Sequence, residues 1–415
     1  MKLNIKRVTV VGIAFLTISA FWQLYDFAVP LLLRRDFEIP DTLLGVVMSL
    51  DNILALVLLP FFGSLSDKTS TKLGKRMPFI LVGTVVAAFG MLLLPYAADA
   101  QKLGLFIGSL AIVLLFMSVY RSPAVALMPD VTIKPLRSQA NAIINLMGAI
   151  GGVVTLAGLT LLDPLQFGYF PIFLLIAGLM LLGLVVMLVI VKENRWAKEM
   201  EVDTLAYHVT EIKEDPKTKA LPQAVKRSLT FMLISIALWF MGYNAVISAF
   251  SRYATIQIGL TDAQASAILL VANVGAIVSF IPVGTFSAKV GRKKTIQLGV
   301  ILLTLVFATA TLYKGFTPWI YINFILAGVA WAAINVNSLP MVLEMSDAGD
   351  VGKYTGLYYA FSMAAQIVTP ILSGVLFDSI GYEILFPYAA IFVFFAFLTM
   401  SQVKHGDTIV ESEEK

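Results

Sequence analysis

An all-α membrane protein with twelve spanning helices in two related halves is the fold class this sequence predicts, and three observations carry it. The 415-residue chain is 59% hydrophobic and 13% charged, with a mean hydropathy of +0.86. A soluble domain of this length exposes far more charge. Apolar runs such as 85–94, 172–191 and 389–398 fit helices, because about 20 apolar residues cross the hydrocarbon layer. Only helices and closed barrels satisfy the backbone in lipid, and these runs lack the alternation of barrel strands. Finally, landmarks recur at one offset. Gly74-Lys75-Arg76 and Gly291-Arg292-Lys293 lie 217 residues apart, as do Trp22 and Trp239. PAVALMPD at 123–130 matches PMVLEMSD at 340–347 at the same offset, and YDFAV at 25–29 matches YNAV at 243–246 one residue further on.

In order, the predicted helices are 8–33, 42–62, 77–97, 103–128, 138–161 and 168–191, then 226–251, 262–284, 294–313, 318–344, 354–376 and 382–402. The first is long for a signal-peptide core and no small-residue cleavage site stands out, so it is read as a retained helix. Between the two sixes, 192–225 is polar and charged, a solvated linker with room for a short surface helix. The expected organisation is a six-helix bundle over 1–191, the linker over 192–225, a second bundle over 226–403 and a tail over 404–415.

Lys and Arg concentrate in one set of loops: Lys2, Lys6, Arg7, the stretch 63–76, Lys134, Arg137, the linker, 289–294 and Lys404. The opposite set carries only Arg34, Arg35, Lys102, Arg252 and Lys314. The positive-inside rule makes the first set cytoplasmic, with both termini and the linker inside and the chain in the plasma membrane. The net charge of +4 follows from this topology, so nucleic acid is not an expected partner. The chain has no cysteine, which excludes disulfides and thiol chemistry. Its two histidines, His208 and His405, fall in loops and give no basis for a zinc site. No metal or cofactor is expected. Parallel repeats of this kind make a transporter architecture, with the substrate site expected between the halves near the midplane.

Charges inside a bilayer are expensive and usually face a partner or a water-filled cavity. Three lie deep in the predicted spans: Asp26, Asp51 and Arg121. Asp26 shares a helix face with Ser19, Trp22 and Gln23 by i+3 and i+4 spacing. Carboxylates and amides bind paired hydroxyls, and an aromatic ring covers the apolar face of a pyranose. Asp26, Gln23 and Trp22 are therefore candidate sugar ligands; the other reading makes Asp26 a structural partner for Arg121. Arg121 does not deprotonate. It could hold Asp26 or Asp51 ionised until that acid takes a proton, hydrogen-bond sugar hydroxyls, or form a fixed salt bridge. Asp26, Asp51 and Arg121 are the candidate coupling residues. Neutral polar groups complete the set: Asn141 and Asn145 in the first half, then Tyr243 and Asn244, Asn335 beside Trp331, and Tyr359 with Gln366. Each alone also fits interhelical bridging; together they point to a neutral, hydroxyl-rich ligand.

The stretch after the second helix reads G-x-x-S-D from Gly63 to Asp67 and then Gly74-Lys75-Arg76. It resembles the loop motif of the major facilitator superfamily, and the resemblance covers essentially the whole chain. It implies the superfamily fold of two pseudo-symmetric six-helix bundles. The longer form SDKTSTKLGKRMPFI resembles the sucrose and maltose proton symporters related to the plant sucrose carriers. YRSPAVALMPDVTIKPLRSQA is similar to the melibiose permease group of glycoside–cation symporters. By position in that group, Asp26 matches a sugar-binding aspartate, Arg121 stands where a second one is usual, and Asn145 falls near a pocket residue. The chain departs from the group at Val125, where an aromatic is usual, and carries Asp51 alone in place of paired carboxylates. The predicted eleventh helix holds no lysine. These departures disfavour sodium and favour a proton or uncoupled transport.

The resemblance also implies a cytoplasmic gate of Gly63, Asp67, Gly74, Lys75, Arg76, Asp130 and Arg137 that stabilises the outward-facing state. Asp67 is expected to pair with cations of the partner half in one state only. Ala288 stands in its place in the second copy. The expected function is secondary transport of a sugar, an α-glucoside such as maltose or sucrose, with a proton and by alternating access. The alternatives are a sugar uniporter and a multidrug or organic-solute carrier. An enzyme is not expected, since no nucleophile–base set or phosphate loop is present. The expected partners are the sugar, a proton and the lipid bilayer, with the chain acting as a monomer.

Overall fold

The computed structural model describes residues 3–133, 136–206, 222–345 and 351–407. Lys2, Lys134, His208, Asp347 and the linker from 207 to 221 lie outside them. In chain order the helices are α1 (Ile5–Phe37), α2 (Asp41–Asp67), α3 (Met77–Asp99), α4 (Leu103–Asp130), α5 (Arg137–Leu161), the single turn α6 (Pro164–Phe167), α7 (Phe170–Ile190) and α8 (Glu193–Ala206). They continue with α9 (Gln223–Arg252), α10 (Asp262–Val290), α11 (Arg292–Ala310), α12 (Trp319–Glu344), α13 (Val351–Ser379) and α14 (Leu385–Ser401). Among the described residues no strand occurs, and twelve helices are long and apolar enough to cross a membrane. The two that are not are α6 and α8.

The spans coincide with the apolar runs because a helix meets its backbone hydrogen bonds internally, which lipid cannot do for it. Their ends carry local signals. Asn4 accepts the backbone N–H of Arg7 at the start of α1, and Glu38, at φ 53°, closes its end. Thr261 and Gln264 form a reciprocal capping box at the start of α10.

The chain forms two compact units, one of Met1–Ile39 with Leu50–Glu211 and one of Pro40–Ser49 with Ile212–Lys415. In the first, α1 packs on α5 and α7, and α3 on α4 and α7. The α1–α5 crossing is close enough that a Cβ on Gly151 would stand 2.0 Å from the Leu16 carbonyl oxygen. Small residues permit such approaches, which drive helix association where lipid removes the hydrophobic incentive. Thr155 adds a hydrogen bond to the Ala20 carbonyl at 2.9 Å, and the hydroxyls of Thr17 and Tyr120 meet at 2.6 Å.

In the second unit α9 packs on α13 and α14, α10 on α12, and α11 on α12 and α14. The first turns of α2 also belong here. A Cβ on Gly45 would stand 2.1 Å from the Pro370 carbonyl oxygen, and Ser49 donates to the Ile367 carbonyl at 2.8 Å. The N-terminus of α2 is capped from α13: the Asp378 carboxylate accepts the backbone N–H groups of Asp41 and Thr42 at 2.9 and 2.7 Å. Asp41 itself is buried, accepts the Tyr382 hydroxyl and lies 3.5 Å from the Arg252 guanidinium. α2 thus starts in one unit and ends in the other.

Candidate functional site

The charged residues that the sequence places inside the membrane sit on three helices of the first unit: Asp26 on α1, Asp51 on α2 and Arg121 on α4. All three are half-buried. The Arg121 guanidinium lies 5.8 Å from the Trp22 ring centroid in cation–π geometry. The Trp22 ring meets Tyr25 edge-on at 5.3 Å. Asp51 is within electrostatic range of both Arg121 and Asp26, and Asn52 donates to its carboxylate at 2.9 Å. Among the described residues neither Asp26 nor Arg121 makes an ion pair or a hydrogen bond. Of the two acids that the sequence offers to Arg121, Asp51 is the one in its electrostatic range.

Tyr25, which the sequence offered only as part of a repeated dipeptide, joins this set. It is 2% exposed, and its hydroxyl is in range of Asp51 and Asp26. The Tyr25 hydroxyl and the Trp22 indole N–H are buried without a hydrogen-bond partner. Such donors normally find one, and a ligand rich in hydroxyls can supply it. Gln23 turns toward α5, with its Oε1 3.5 Å from where a Cβ of Gly152 would stand. Asn141 and Asn145 are exposed on α5.

In the second unit the Tyr243 and Trp331 rings stack at 3.6 Å, with planes 1° apart. Phe240 closes the edge of Trp331. The Asn244 side-chain amide nitrogen is buried without a partner. Asn335 and Tyr359 are exposed, and the Gln366 amide returns to its own helix at the Ser362 carbonyl. No hydrogen-bonded cluster joins these three among the described residues. Asn337 is interhelical glue, bonded to Ser287 and to the Ala333 carbonyl.

The predicted gate residues converge on Arg76, which is 4% exposed. Its guanidinium donates to Asp130 at 2.8 Å, to Asp67, to Ser66 and to the Gly63 carbonyl. Lys75 pairs with Asp130 at 3.1 Å. Burial alone would lower the Arg76 pKa, but Asp130 and Asp67 outweigh it and hold the group above its ordinary value. Asp67 pairs here with Arg76, nine residues along the same stretch. Arg137 stands apart and ties the α4–α5 turn through the carbonyls of Thr132 and Pro129.

The sequence places Glu193 in a solvated linker, but the structure buries it. It is 2% exposed and its carboxylate accepts the backbone N–H groups of Lys75, Arg76 and Met77 at 2.8, 2.9 and 3.0 Å. These are unpaired donors at the N-terminus of α3, where negative charge is favoured. Gly74, at φ 121°, lets the carboxylate in; a Cβ there would stand 2.1 Å from it. The rest of α8 is also anchored. Asn194 bonds the Thr71 and Lys72 carbonyls, and Arg7 pairs with Glu199 and covers the Trp196 ring at 5.2 Å. Arg195 and Arg7 together hold the Glu199 carboxyl below its ordinary range.

The family profile described as Major Facilitator Superfamily matches residues 11–322 and 232–407. "Sucrose transport protein SUC3" of Arabidopsis thaliana is 31% identical over 121 residues, 25% of this chain and 20% of that protein. "Proton-associated sugar transporter A" of Homo sapiens is 30% identical over 138 residues, 30% of this chain and 18% of that protein. An "Uncharacterized MFS-type transporter C18.02" of Schizosaccharomyces pombe is 27% identical over 166 residues, 38% of this chain and 37% of that protein. The chain thus matches well under half the length of each relative. Among solved structures, a peptide transporter POT superposes with a TM-score of 0.70 at 14% identity, covering 96% of this chain and 93% of that one. The nucleoside transporter NupG gives 0.68 at 16% identity, covering 97% and 100%. At these identities the superpositions speak for the fold alone. With the profile spanning both units and twelve spans in place, the chain belongs to the Major Facilitator Superfamily.

Proposed function

We propose that this protein carries a sugar, an α-glucoside such as maltose or sucrose, by alternating access with a proton as the coupled ion. The observation that carries this reading is the set formed by Asp26, Asp51, Arg121, Trp22 and Tyr25 on three helices of one unit. An aromatic face, a carboxylate and buried donors without partners make a site for a ligand with an apolar ring face and many hydroxyls. Two relatives, a sucrose transport protein and a proton-associated sugar transporter, support the substrate class. In this reading Trp22, Gln23, Asp26, Arg121, Asn141 and Asn145 bind sugar from one half, and Tyr243, Asn244, Asn335, Tyr359 and Gln366 from the other.

Asp51 balances Arg121 while ionised; when it or Asp26 takes a proton, the guanidinium is released toward sugar oxygens. That exchange couples proton and sugar. The halves 1–191 and 226–403 are the working bundles, and the Arg76 network is the cytoplasmic gate. Both termini and the linker face the cytoplasm, by the distribution of Lys and Arg, and the protein works as a monomer in the plasma membrane.

The test is uptake of labelled maltose, sucrose and melibiose into proteoliposomes, with and without an imposed proton gradient. Gradient-driven accumulation of at least one glycoside is expected. No uptake of any would remove the sugar reading, and uptake indifferent to the gradient would reduce it to a uniporter. Asp26→Asn is expected to abolish accumulation, and full uphill transport by that variant would exclude Asp26 as the coupling acid.

A further inference from the structure

A cavity of about 420 Å³ opens on the second unit between α10, α11 and α12, and none of its lining residues is among those assigned above. Its lining is almost wholly apolar, with Ser279, Pro282 and Phe286 on α10, Leu298 and Leu302 on α11 and Ala330 on α12. Phe286 and Leu298 stand exposed at its rim, 44% and 53%, on helices that cross the membrane. The α10 lining runs from Ser279 toward the α10–α11 turn at Gly291. At about 1.5 Å per residue the lining from Ser279 to Phe286 is about 10 Å long, and Lys289 lies about 15 Å from Ser279, half of a hydrocarbon layer about 30 Å thick. The groove together with the cation at its end therefore spans about one leaflet.

Two cations stand at the end of this groove that meets the turn. Lys289 lies one turn beyond Phe286, and Lys294 one turn before Leu298, each on the lining face of its helix. Both are exposed, and among the described residues neither has an ion-pair or hydrogen-bond partner. Their neighbours differ: Arg292 pairs with Glu344, and Lys293 donates to the Ser401 carbonyl at 3.3 Å. The Asp407 carboxylate at this turn accepts the backbone N–H of Arg292.

We propose that this groove binds an anionic phospholipid, with one acyl chain between α10, α11 and α12 and the phosphate between Lys289 and Lys294. Basic residues at the mouth of an apolar recess between spanning helices are what such a headgroup recognises. A zwitterionic lipid fills the recess but gains less from the cations, and a free phosphate gains nothing from the recess.

The test is native mass spectrometry of the full chain in detergent, titrated with phosphatidylglycerol, with phosphatidylcholine of the same chains and with inorganic phosphate. Phosphatidylglycerol is expected to bind tightest and phosphate alone not to bind. Lys289→Gln with Lys294→Gln is expected to weaken phosphatidylglycerol about 30-fold, from about one attractive unit of surface charge energy per cation, and to leave phosphatidylcholine unchanged. Lys68→Gln with Lys72→Gln, on the other unit, is expected to change neither. Leu302→Trp, which fills the recess, is expected to weaken both lipids. Undiminished phosphatidylglycerol binding to the 289/294 variant, lipid binding indifferent to Leu302→Trp, or displacement of the lipid by inorganic phosphate would each overturn the proposal. Melting curves of each variant confirm that it is folded.

Discussion

The stretch 63–76 of the first unit and 284–294 of the second descend from one pattern but do different things. Both contain a glycine at positive φ, Gly74 at 121° and Gly291 at 100°. In both, that glycine admits a carboxylate that arrives just after the last span of its own unit and caps the next helix. Glu193, three residues past the end of α7, caps α3 through three backbone N–H groups. Asp407, six residues past the end of α14, caps α11 through that of Arg292. The capping is shared; the ion-pair hub is not. Arg76 is buried between Asp67 and Asp130. The second loop has Ala288 where the first has Asp67, and Lys289 and Lys294 are left facing outward. The first loop ties Lys75 and Arg76 into the protein and leaves Lys68 and Lys72 exposed, while the second leaves Lys289 and Lys294 exposed at the end of an apolar groove.

The sharpest way to break this comparison is at its hub. Arg76→Ala leaves two carboxylates without their shared partner and is expected to cost about 3 kcal/mol or more. Arg292→Ala removes a half-exposed pair with Glu344 and is expected to cost about 0.5 kcal/mol. Thermal melting of the two variants in one detergent checks this, and equal losses would mean that the two loops carry equal loads. The next effect is at the caps. Glu193→Ala is expected to cost about 2 kcal/mol, at the upper end for a cap, and Asp407→Ala about 1 kcal/mol or less. Melting again decides, and a larger loss at Asp407 would reverse the order. The smallest effect comes from giving the second loop the acid it lacks. Ala288→Asp is expected to change stability by no more than about 0.5 kcal/mol. It should nevertheless reduce phosphatidylglycerol binding, by drawing the neighbouring lysines inward. Lipid titration of that variant sharpens the contrast between the loop with an Arg76 hub and the loop without one.

Much of the fold was legible because lipid reduces the problem to local pattern. The twelve spans follow from hydropathy, and the predicted linker helix is present as α8. The resemblance grouped Gly63, Asp67, Gly74, Lys75, Arg76, Asp130 and Arg137; the structure places Asp67 and Asp130 at Arg76 and Lys75 at Asp130, with Arg137 apart. The candidate site was legible in part. Asp26, Asp51 and Arg121 stood out because charge is rare inside a span. Tyr25 did not, since a tyrosine in an apolar run carries no such signal. Glu193 was hidden for the opposite reason, as one acid among many charges in a polar segment.

What the sequence by itself determined is therefore the membrane class, the number of spans, their repeat and the family motif, all encoded in neighbouring residues or in an offset that can be counted. The tertiary structure alone decided which groups meet. It brought Arg121 to Trp22 and toward Asp51, turned Asp67 to Arg76, buried Glu193 against α3 and assigned the first turns of α2 to the second unit. It also left Lys289 and Lys294 open beside an apolar groove. Most of these meetings join residues tens to hundreds of positions apart, through helix crossings set by side-chain volume and backbone approach. Hydropathy and spacing carry no record of such crossings.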